Sequence, residues 1–144
     1  SFRGGEVEAT WHLASNQSGH YDLRLWGDRV RATFTEGGGN VPRIPSARVG
    51  SELRWHDDDW RASLGVTRYF SHDDTAFDET PTAGFTMLSA HLAWAFFNTD
   101  RQSWELFADG NNLGNRIARL STSLIKDSVP LPGRNLNIGV RAMF

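Results

Sequence analysis

A strict alternation of apolar and polar residues, which recurs seven times, constrains this chain more than any other feature. In the last segment Leu136, Ile138 and Val140 share one face with Ala142 and Phe144, while the intervening positions are mostly polar. Successive side chains of a strand point to opposite faces, so this pattern predicts a strand with one apolar face. Similar runs begin near residues 7, 21, 49, 60, 84 and 103, and no helical stripe of comparable length is found. The sequence therefore predicts an all-β chain of about seven antiparallel strands.

The second predicted strand contains an irregularity. Leu23 and Leu25 begin its apolar face, whereas beyond Gly27 the apolar positions are Val30 and Ala32. A residue that is inserted into a strand and changes its phase forms a β-bulge. We therefore expect a bulge near Gly27.

The connections between the predicted strands alternate between short and long. Short polar connections lie at 16–18, 57–59 and 98–101, and long ones containing Gly or Pro lie at 36–45, 71–83 and 114–133. A transmembrane up-and-down barrel shows this alternation, with short periplasmic turns and long external loops. The connections therefore predict an antiparallel up-and-down transmembrane β-barrel.

Composition excludes several functions and leaves one alternative fold open. The 144 residues include no Cys, so the chain has no disulfide framework. With 15 Lys+Arg and 17 Asp+Glu, it also lacks the excess of positive charge that binding of nucleic acid requires. No stretch approaches 18 consecutive apolar residues, which excludes a transmembrane helix but not transmembrane strands. A soluble antiparallel β-domain that binds a small ligand or a partner protein would show the same alternation.

Three details favour the barrel over the soluble domain. Charges are spread over the inferred polar face, aromatic residues border the short turns, and the strands have about ten residues or more, enough to cross a bilayer. The charged residues are Glu6, Glu8, Arg24, Arg48, Glu52, Arg54, Glu105 and Arg141, and the aromatic ones are Trp55, Trp60, Trp94, Phe96 and Trp104.

The C-terminal segments resemble a known family. Residues 106–115 (LFADGNNLGN) resemble the penultimate-strand signature of TonB-dependent outer-membrane receptors. Residues 131–135 (LPGRN), followed by a strand that ends in Phe144, resemble the closing element of these receptors. Residues 41–50 (VPRIPSARVG) are similar to the family's entry into a late barrel strand, and the elements stand in family order over residues 40–144.

The resemblance implies both an architecture and a function. Residues 1–144 would be the C-terminal part of a receptor β-barrel, with the plug domain and the TonB box absent from this chain. The implied function is energised nutrient uptake across the outer membrane of a Gram-negative cell. The implied partners are outer-membrane lipid, the plug domain and remaining strands of the parent receptor, TonB through that receptor, and the barrel-assembly machinery, which would recognise the terminal Phe144. The sequence contains no G-x-S-x-G elbow, and we expect no enzymatic activity.

Two further segments resemble one subgroup of these receptors. Residues 79–88 (ETPTAGFTML) and 121–134 (STSLIKDSVPLPGR) are similar to stretches of a subgroup that includes zinc-uptake receptors. Ser121 stands where the subgroup often has His. The resemblance implies zinc, another metal or a metal complex as the transported substrate, and no resident cofactor.

The loop at 71–83 carries the candidate metal ligands. These are His72, Asp73, Asp74, Asp78 and Glu79. Carboxylate oxygens and imidazole nitrogens suit divalent cations, so the loop is a candidate for metal capture. A solvated acidic loop would have the same composition, and no two His residues have metal-ligand spacing. Of the other histidines, His12 and His91 are predicted to be hydrogen-bonded residues of the barrel lumen, and His20 and His56 to be surface residues near short turns.

Overall fold

The structure, a computed structural model, describes residues 1–99 and 101–144 and consists of one antiparallel sheet. Its strands are β1 (Phe2–Asn16), β2 (Gly19–Ala32), β3 (Arg48–His56), β4 (Trp60–Tyr69), β5 (Phe85–Asn98), β6 (Ser103–Asn111) and β7 (Asn135–Met143). Each strand pairs with the next along the chain, so β1 and β7 are the edges of the sheet in the described part of the chain. The predicted all-β fold with seven antiparallel strands is confirmed. None of the described residues forms a helix that is long and apolar enough to cross a membrane.

The connections alternate in length as predicted. Those at 17–18, 57–59 and 99–102 are short, and those at 33–47, 70–84 and 112–134 are long. Within the predicted turn at 98–101, Asp100 lies outside the described residues. Because every strand is antiparallel to its neighbours, the short connections lie at one end of the sheet and the long ones at the other.

Asn and Asp side chains close two of the short turns. Asp57 Oδ1 accepts hydrogen bonds from the backbone N–H groups of Asp59 at 2.9 Å and Trp60 at 2.6 Å. Asn16 Oδ1 accepts one from the N–H of Ser18 at 2.8 Å. Such local bonds favour a tight reversal of the chain and fix the register of the strands on either side.

The bulge predicted near Gly27 is wrong. Gly27 pairs in unbroken register with Val7 of β1 and Val49 of β3. Arg29 and Arg31 therefore remain on the same face as the apolar residues that precede them in β2. No residue is inserted, and the change of polarity along β2 is a change from apolar to charged residues on one face, toward the end of the strand that leads into the long connection. The register shifts instead within β1 and β5, each time close to a short connection.

The two faces of the sheet differ in chemistry, since side chains alternate along every strand. One face, here called the apolar face, exposes large side chains that include Val7, Trp11, Leu53, Leu64, Leu92, Leu106, Ile138 and Val140. The opposite face, here called the polar face, carries the charged residues that were predicted for it. The buried apolar residues in the described part of the chain are Ala32, Ile44, Phe85, Ala93 and Ala118, too few to form a core under the sheet. The molecule is thus a single layer.

Aromatic residues gather near the short-turn end of the apolar face. Trp60 and Trp94 lie opposite each other and stack with their ring centroids 5.5 Å apart. Trp104 and Phe144 meet edge to face at 5.9 Å. Trp55 Nε1 donates a hydrogen bond of 2.7 Å to a carbonyl oxygen of the β1–β2 turn. Amphipathic rings in this arrangement are typical of the girdle that borders the apolar band of a membrane barrel.

Candidate functional site

The three long connections meet at one end of the sheet and form what we call the loop cluster (33–47, 70–84 and 112–134). Ser121 joins the third of these loops to the first. Its hydroxyl group donates to the carbonyl oxygen of Ile44 at 2.8 Å and accepts from the N–H of Ser46 at 3.0 Å. Ser121 is buried, so water does not compete for these bonds. They hold together two loops that are far apart in the sequence.

Lys126 joins the third loop to the second. Its buried ammonium group donates to the carbonyl oxygen of Thr80 and, at 2.8 Å, to Thr82 Oγ1. The Thr80 hydroxyl donates to Asp127 Oδ2 at 2.8 Å, and Arg119 donates to the carbonyl oxygen of Lys126. Burying an ammonium group is costly unless protein atoms replace its water. These acceptors meet that need, and they fix the second and third loops against each other.

Asn112 ties the start of the third loop to its end. Its Nδ2 donates to the carbonyl oxygens of Arg116 at 2.8 Å and Pro132 at 3.0 Å, and its Oδ1 accepts from the N–H of Arg116 at 2.9 Å. Asn115 Oδ1 accepts from the N–H of Arg134 at 3.1 Å. Asn112 and Asn115 have φ angles of 49° and 48°, in the left-handed region that Asn tolerates better than most residues. The two C-terminal motifs therefore contact each other through their Asn side chains.

The predicted metal ligands all lie in the second loop, but their carboxylates have separate partners. Asp74 pairs with Arg31 of β2 at 3.0 Å. Glu79 accepts a hydrogen bond of 3.2 Å from the backbone N–H of Arg43 in the first loop. Asp78 is exposed. Asp74 and Glu79 thus contact different elements of the fold, and Glu79 also accepts a hydrogen bond of 3.2 Å from the N–H of Ala76 in its own loop.

His72 is the buried member of the predicted set. Its backbone pairs with Thr82 across the second loop, and its Nε2 has no hydrogen-bond partner among the described residues. The neighbouring Asp73 accepts a hydrogen bond of 3.0 Å from the Ser71 hydroxyl. In the described part of the chain no three His, Cys, Asp or Glu side chains are grouped as a metal site. Metal binding by this loop stays a prediction.

A cavity of about 870 Å³ lies beside these residues, between the outer ends of the first three strands and the first two loops. Its walls carry charges of both signs, from Arg29 and Arg48 and from Asp28 and Asp74, together with His72. Arg48 Nε donates to Asp28 Oδ2 at 2.6 Å, so part of this charge is neutralised within the wall. The volume is in the range of small-molecule sites, and the lining combines these charged side chains with apolar ones such as Ile44 and Phe70.

A row of polar side chains crosses the polar face from β1 to β7. In cross-strand register it runs through His12, Asp22, Arg54, Ser63, His91, Asp109 and Asn137. His12 Nδ1 lies 2.6 Å from Asp22 Oδ1, and His91 Nδ1 lies 2.6 Å from Asp109 Oδ1. Both histidines are hydrogen-bonded residues of the polar face, as predicted from the sequence.

Ion pairs occupy neighbouring positions on the polar face. Arg24 donates to both carboxylate oxygens of Glu8, at 2.8 and 2.6 Å. Glu105, whose side chain is 5% exposed, contacts Arg61 and, at 3.1 Å, Arg141. These charges of the polar face thus pair with one another, and they leave a polar surface that water or a polar domain can contact.

Sequence reasoning missed the residues that assemble the loop cluster. It gave no role to Lys126 or Asn112, and it treated Ser121 only as a departure from a His of the metal-uptake subgroup. A usable signal was present, because the two segments that resemble this subgroup, 79–88 and 121–134, are the ones that Lys126 brings together.

Comparisons with known proteins bear on the family and the fold. A family model described as "TonB dependent receptor-like, beta-barrel" matches residues 1–113. Among solved structures, that of the copper transporter OprC is similar with a TM-score of 0.75 and 20% sequence identity. The match covers 99% of this chain and 23% of that transporter, so this chain spans about a quarter of its length. At this identity the likeness shows a shared fold.

Proposed function

Because this chain belongs to the TonB-dependent receptor-like β-barrel family, we propose that it forms adjoining wall strands of an outer-membrane receptor for energised nutrient uptake. In the proposed receptor the wall encloses a pore, a plug domain occupies it, and TonB transmits the energy that moves the plug. The family is one of receptors rather than enzymes, which agrees with the expected lack of catalytic activity.

The uncovered apolar face is the observation that carries this proposal. Ile138 is 71% exposed and Leu64 is 60% exposed, and every second residue of their strands shares that face. A soluble sheet buries such a face against a second layer, and the described residues provide none. Lipid covers the outer face of a membrane barrel, while water fills the lumen beside the charged face. A soluble β-domain, the alternative fold considered from the sequence, would leave the exposure of the apolar face unexplained.

Partners follow from the same surfaces. In the proposed receptor lipid covers the apolar face, the plug domain contacts the polar face, and further wall strands pair with the edge strands β1 and β7. Phe144 is 85% exposed and meets Trp104, so it is accessible to the barrel-assembly machinery. The order of the motifs supports placing residues 1–144 at the C-terminal end of the barrel.

A metal ion or a metal complex is the substrate class that we propose. Three observations support it: the resemblance of two segments to a subgroup that includes zinc-uptake receptors, the likeness to a structure named a copper transporter, and the His and carboxylates of the second loop. Zinc is the first candidate to test. The loop would capture the ion at the outer side, next to the cavity that His72 lines.

Zinc binding by the receptor that carries this chain tests the proposed substrate. His72→Ala and Asp74→Ala are expected to weaken binding, since they remove an imidazole and a carboxylate from the proposed capture loop. Asp58→Ala is the matched control, because Asp58 is an exposed acidic residue in the short β3–β4 turn at the opposite end of the sheet. Unchanged zinc affinity in both loop variants contradicts metal capture by this loop.

Membrane insertion tests the proposed class of protein independently of its substrate. The receptor is expected to need detergent or lipid, and to migrate differently on gels before and after heating. A detergent-free monomer without this heat-modifiable mobility would favour the soluble domain.

A further inference from the structure

Two histidines lie face to face at the short-turn end of the polar face. His20 of β2 and His56 of β3 are direct cross-strand partners, and their rings stack with centroids 4.9 Å apart and planes inclined by 22°. Both residues are exposed. We propose that these two imidazoles form a binding site for a divalent transition-metal ion, at the opposite end of the sheet from the loop cluster.

Register and orientation place both rings on the polar face. His20 lies two residues before Asp22 in β2, and His56 lies two residues after Arg54 in β3, and both of these residues belong to the polar row. Directly opposite side chains of an antiparallel pair have their Cβ atoms about 4.5–5.5 Å apart. Two imidazoles at that spacing reach a common point through side-chain rotation, without movement of the backbone.

Ser15 orients the first ring. Its Oγ lies 2.9 Å from His20 Nδ1, and the two residues are cross-strand partners of β1 and β2. When Nδ1–H donates to this oxygen, Nε2 carries the lone pair that a metal ion requires. Metal-ligating histidines commonly use their second nitrogen in this way, and the partner fixes both the tautomer and the angle of the ring.

The pair defines the class of ion. Imidazole nitrogen suits Zn²⁺, Ni²⁺ and Cu²⁺, with Cu²⁺ bound most tightly, and suits Ca²⁺ and Mg²⁺ poorly. A bond of about 2.0–2.1 Å from each nitrogen requires the two nitrogens to be roughly 3 Å apart. The stacked rings must therefore tilt toward each other as the ion binds.

The surroundings favour an exchangeable ion over a permanent one. No third His, Cys, Asp or Glu joins the pair in the described part of the chain, so water completes the coordination. Sites with open positions exchange ligands readily, whereas structural zinc sites are closed by four protein ligands. Asp22, two residues from His20 on the same face, is hydrogen-bonded to His12, and Arg61, the cross-strand partner of His56, is engaged by Glu105.

In the proposed receptor this site would bind the transported ion at the short-turn end of the lumen, where the ion leaves. Metal binding by the pair requires only the geometry of β2 and β3, but its biological role rests on the proposed function. An ion that enters at the loop cluster and crosses the lumen would meet these imidazoles before it leaves at the short-turn end.

Copper titration of the intact receptor in detergent tests the site. With Cu²⁺ as the probe, the electron paramagnetic resonance spectrum of the wild type is expected to contain a species with two nitrogen ligands. His20→Gln and His56→Gln are each expected to remove one equivalent of this species, while Ser15→Ala weakens it by about tenfold. His12→Gln is the matched control, because His12 is an exposed histidine of the same face with a different partner, and it should leave the species intact.

The outcomes separate this site from the proposed function. A wild-type spectrum without the two-nitrogen species, or an unchanged spectrum in His56→Gln receptor of normal heat-modifiable mobility, overturns the site. Metal-limited growth that depends on the receptor tests uptake separately. If growth shows no such dependence while both His variants lose the copper species, the site stands and the proposed substrate fails.

Discussion

Replacing Ile138 by Arg tests which face of the sheet meets lipid, and Asn137→Arg is the matched change at the adjacent residue. Ile138 lies on the apolar face and is 71% exposed, whereas Asn137 lies on the polar face opposite Asp109. The two variants add the same side chain one residue apart, so they differ mainly in the environment that receives the charge.

The depth of Ile138 sets the expected cost. Strand β7 has nine residues, which span about 27 Å at a rise of about 3.4 Å per residue. At a tilt of about 40° this strand would cross about 21 Å of the bilayer. Ile138 is one residue from the centre of the strand, so along the membrane normal it lies within about 3 Å of the strand's midpoint. Arg at the midplane of a barrel costs about 2–4 kcal/mol. The folding equilibrium constant should therefore fall by roughly 30- to 900-fold.

The same charge on the polar face should be nearly neutral. Asn137→Arg points into water and faces a carboxylate, so we expect a change within about 0.5 kcal/mol. The assay is urea-dependent folding of the receptor into phospholipid vesicles, followed by tryptophan fluorescence and heat-modifiable mobility. Equal effects of the two variants, or a neutral Ile138→Arg, would refute the assignment of the apolar face to lipid. A soluble domain would bury Ile138 under a second layer and would also be destabilised by Arg, so the dependence of folding on phospholipid vesicles distinguishes the two cases.

Three further variants test the polar face and the loop cluster. Glu105→Gln removes a nearly buried carboxylate from between two half-exposed arginines, and the free energy of unfolding in urea should drop by about 1–3 kcal/mol. A drop no larger than that of Glu8→Gln, whose carboxylate is far more exposed than that of Glu105, would contradict this. Asn112→Ala removes three hydrogen bonds from a buried amide and should cost about 2–3 kcal/mol, with Asn111→Ala at an exposed position as the control. Lys126→Met should speed proteolysis of the second and third loops without changing the strands, and an unchanged cleavage rate would show that the ammonium group does not hold these loops.

The strands and their faces were predictable because strand geometry has a period of two residues. The assignments of His12 and His91 to the polar face needed nothing beyond this period, and the lengths of the connections gave the order of the strands. The same rule fails at Gly27, where polarity changes along the strand while the phase of the side chains does not. In the proposed receptor Arg29 and Arg31 would lie outside the lipid-facing region, while they keep the face of the apolar residues that precede them in β2.

The contacts of the loop cluster were not predictable from local patterns. Lys126 meets Thr80 across 46 residues of chain, and Ser121 meets Ile44 across 77. Such contacts depend on how whole hairpins lie side by side, which no periodicity describes. The stacking of His20 on His56 was missed for a related reason, since it requires the register between β2 and β3. A shift of that register by one residue would place the two rings on opposite faces of the sheet.

The single-layer construction described above has a consequence for how such a wall can change over evolutionary time. In a protein with a packed core, most substitutions inside the fold disturb neighbours on all sides. Here each side chain belongs to only one of two environments, and the backbone ladder separates them. In the proposed receptor, a substitution on the polar face can change the lumen while the lipid contacts stay as they are, and the reverse also holds. The sheet therefore offers two nearly independent surfaces on which selection can act, whereas the cross-linked loop cluster must vary as a unit.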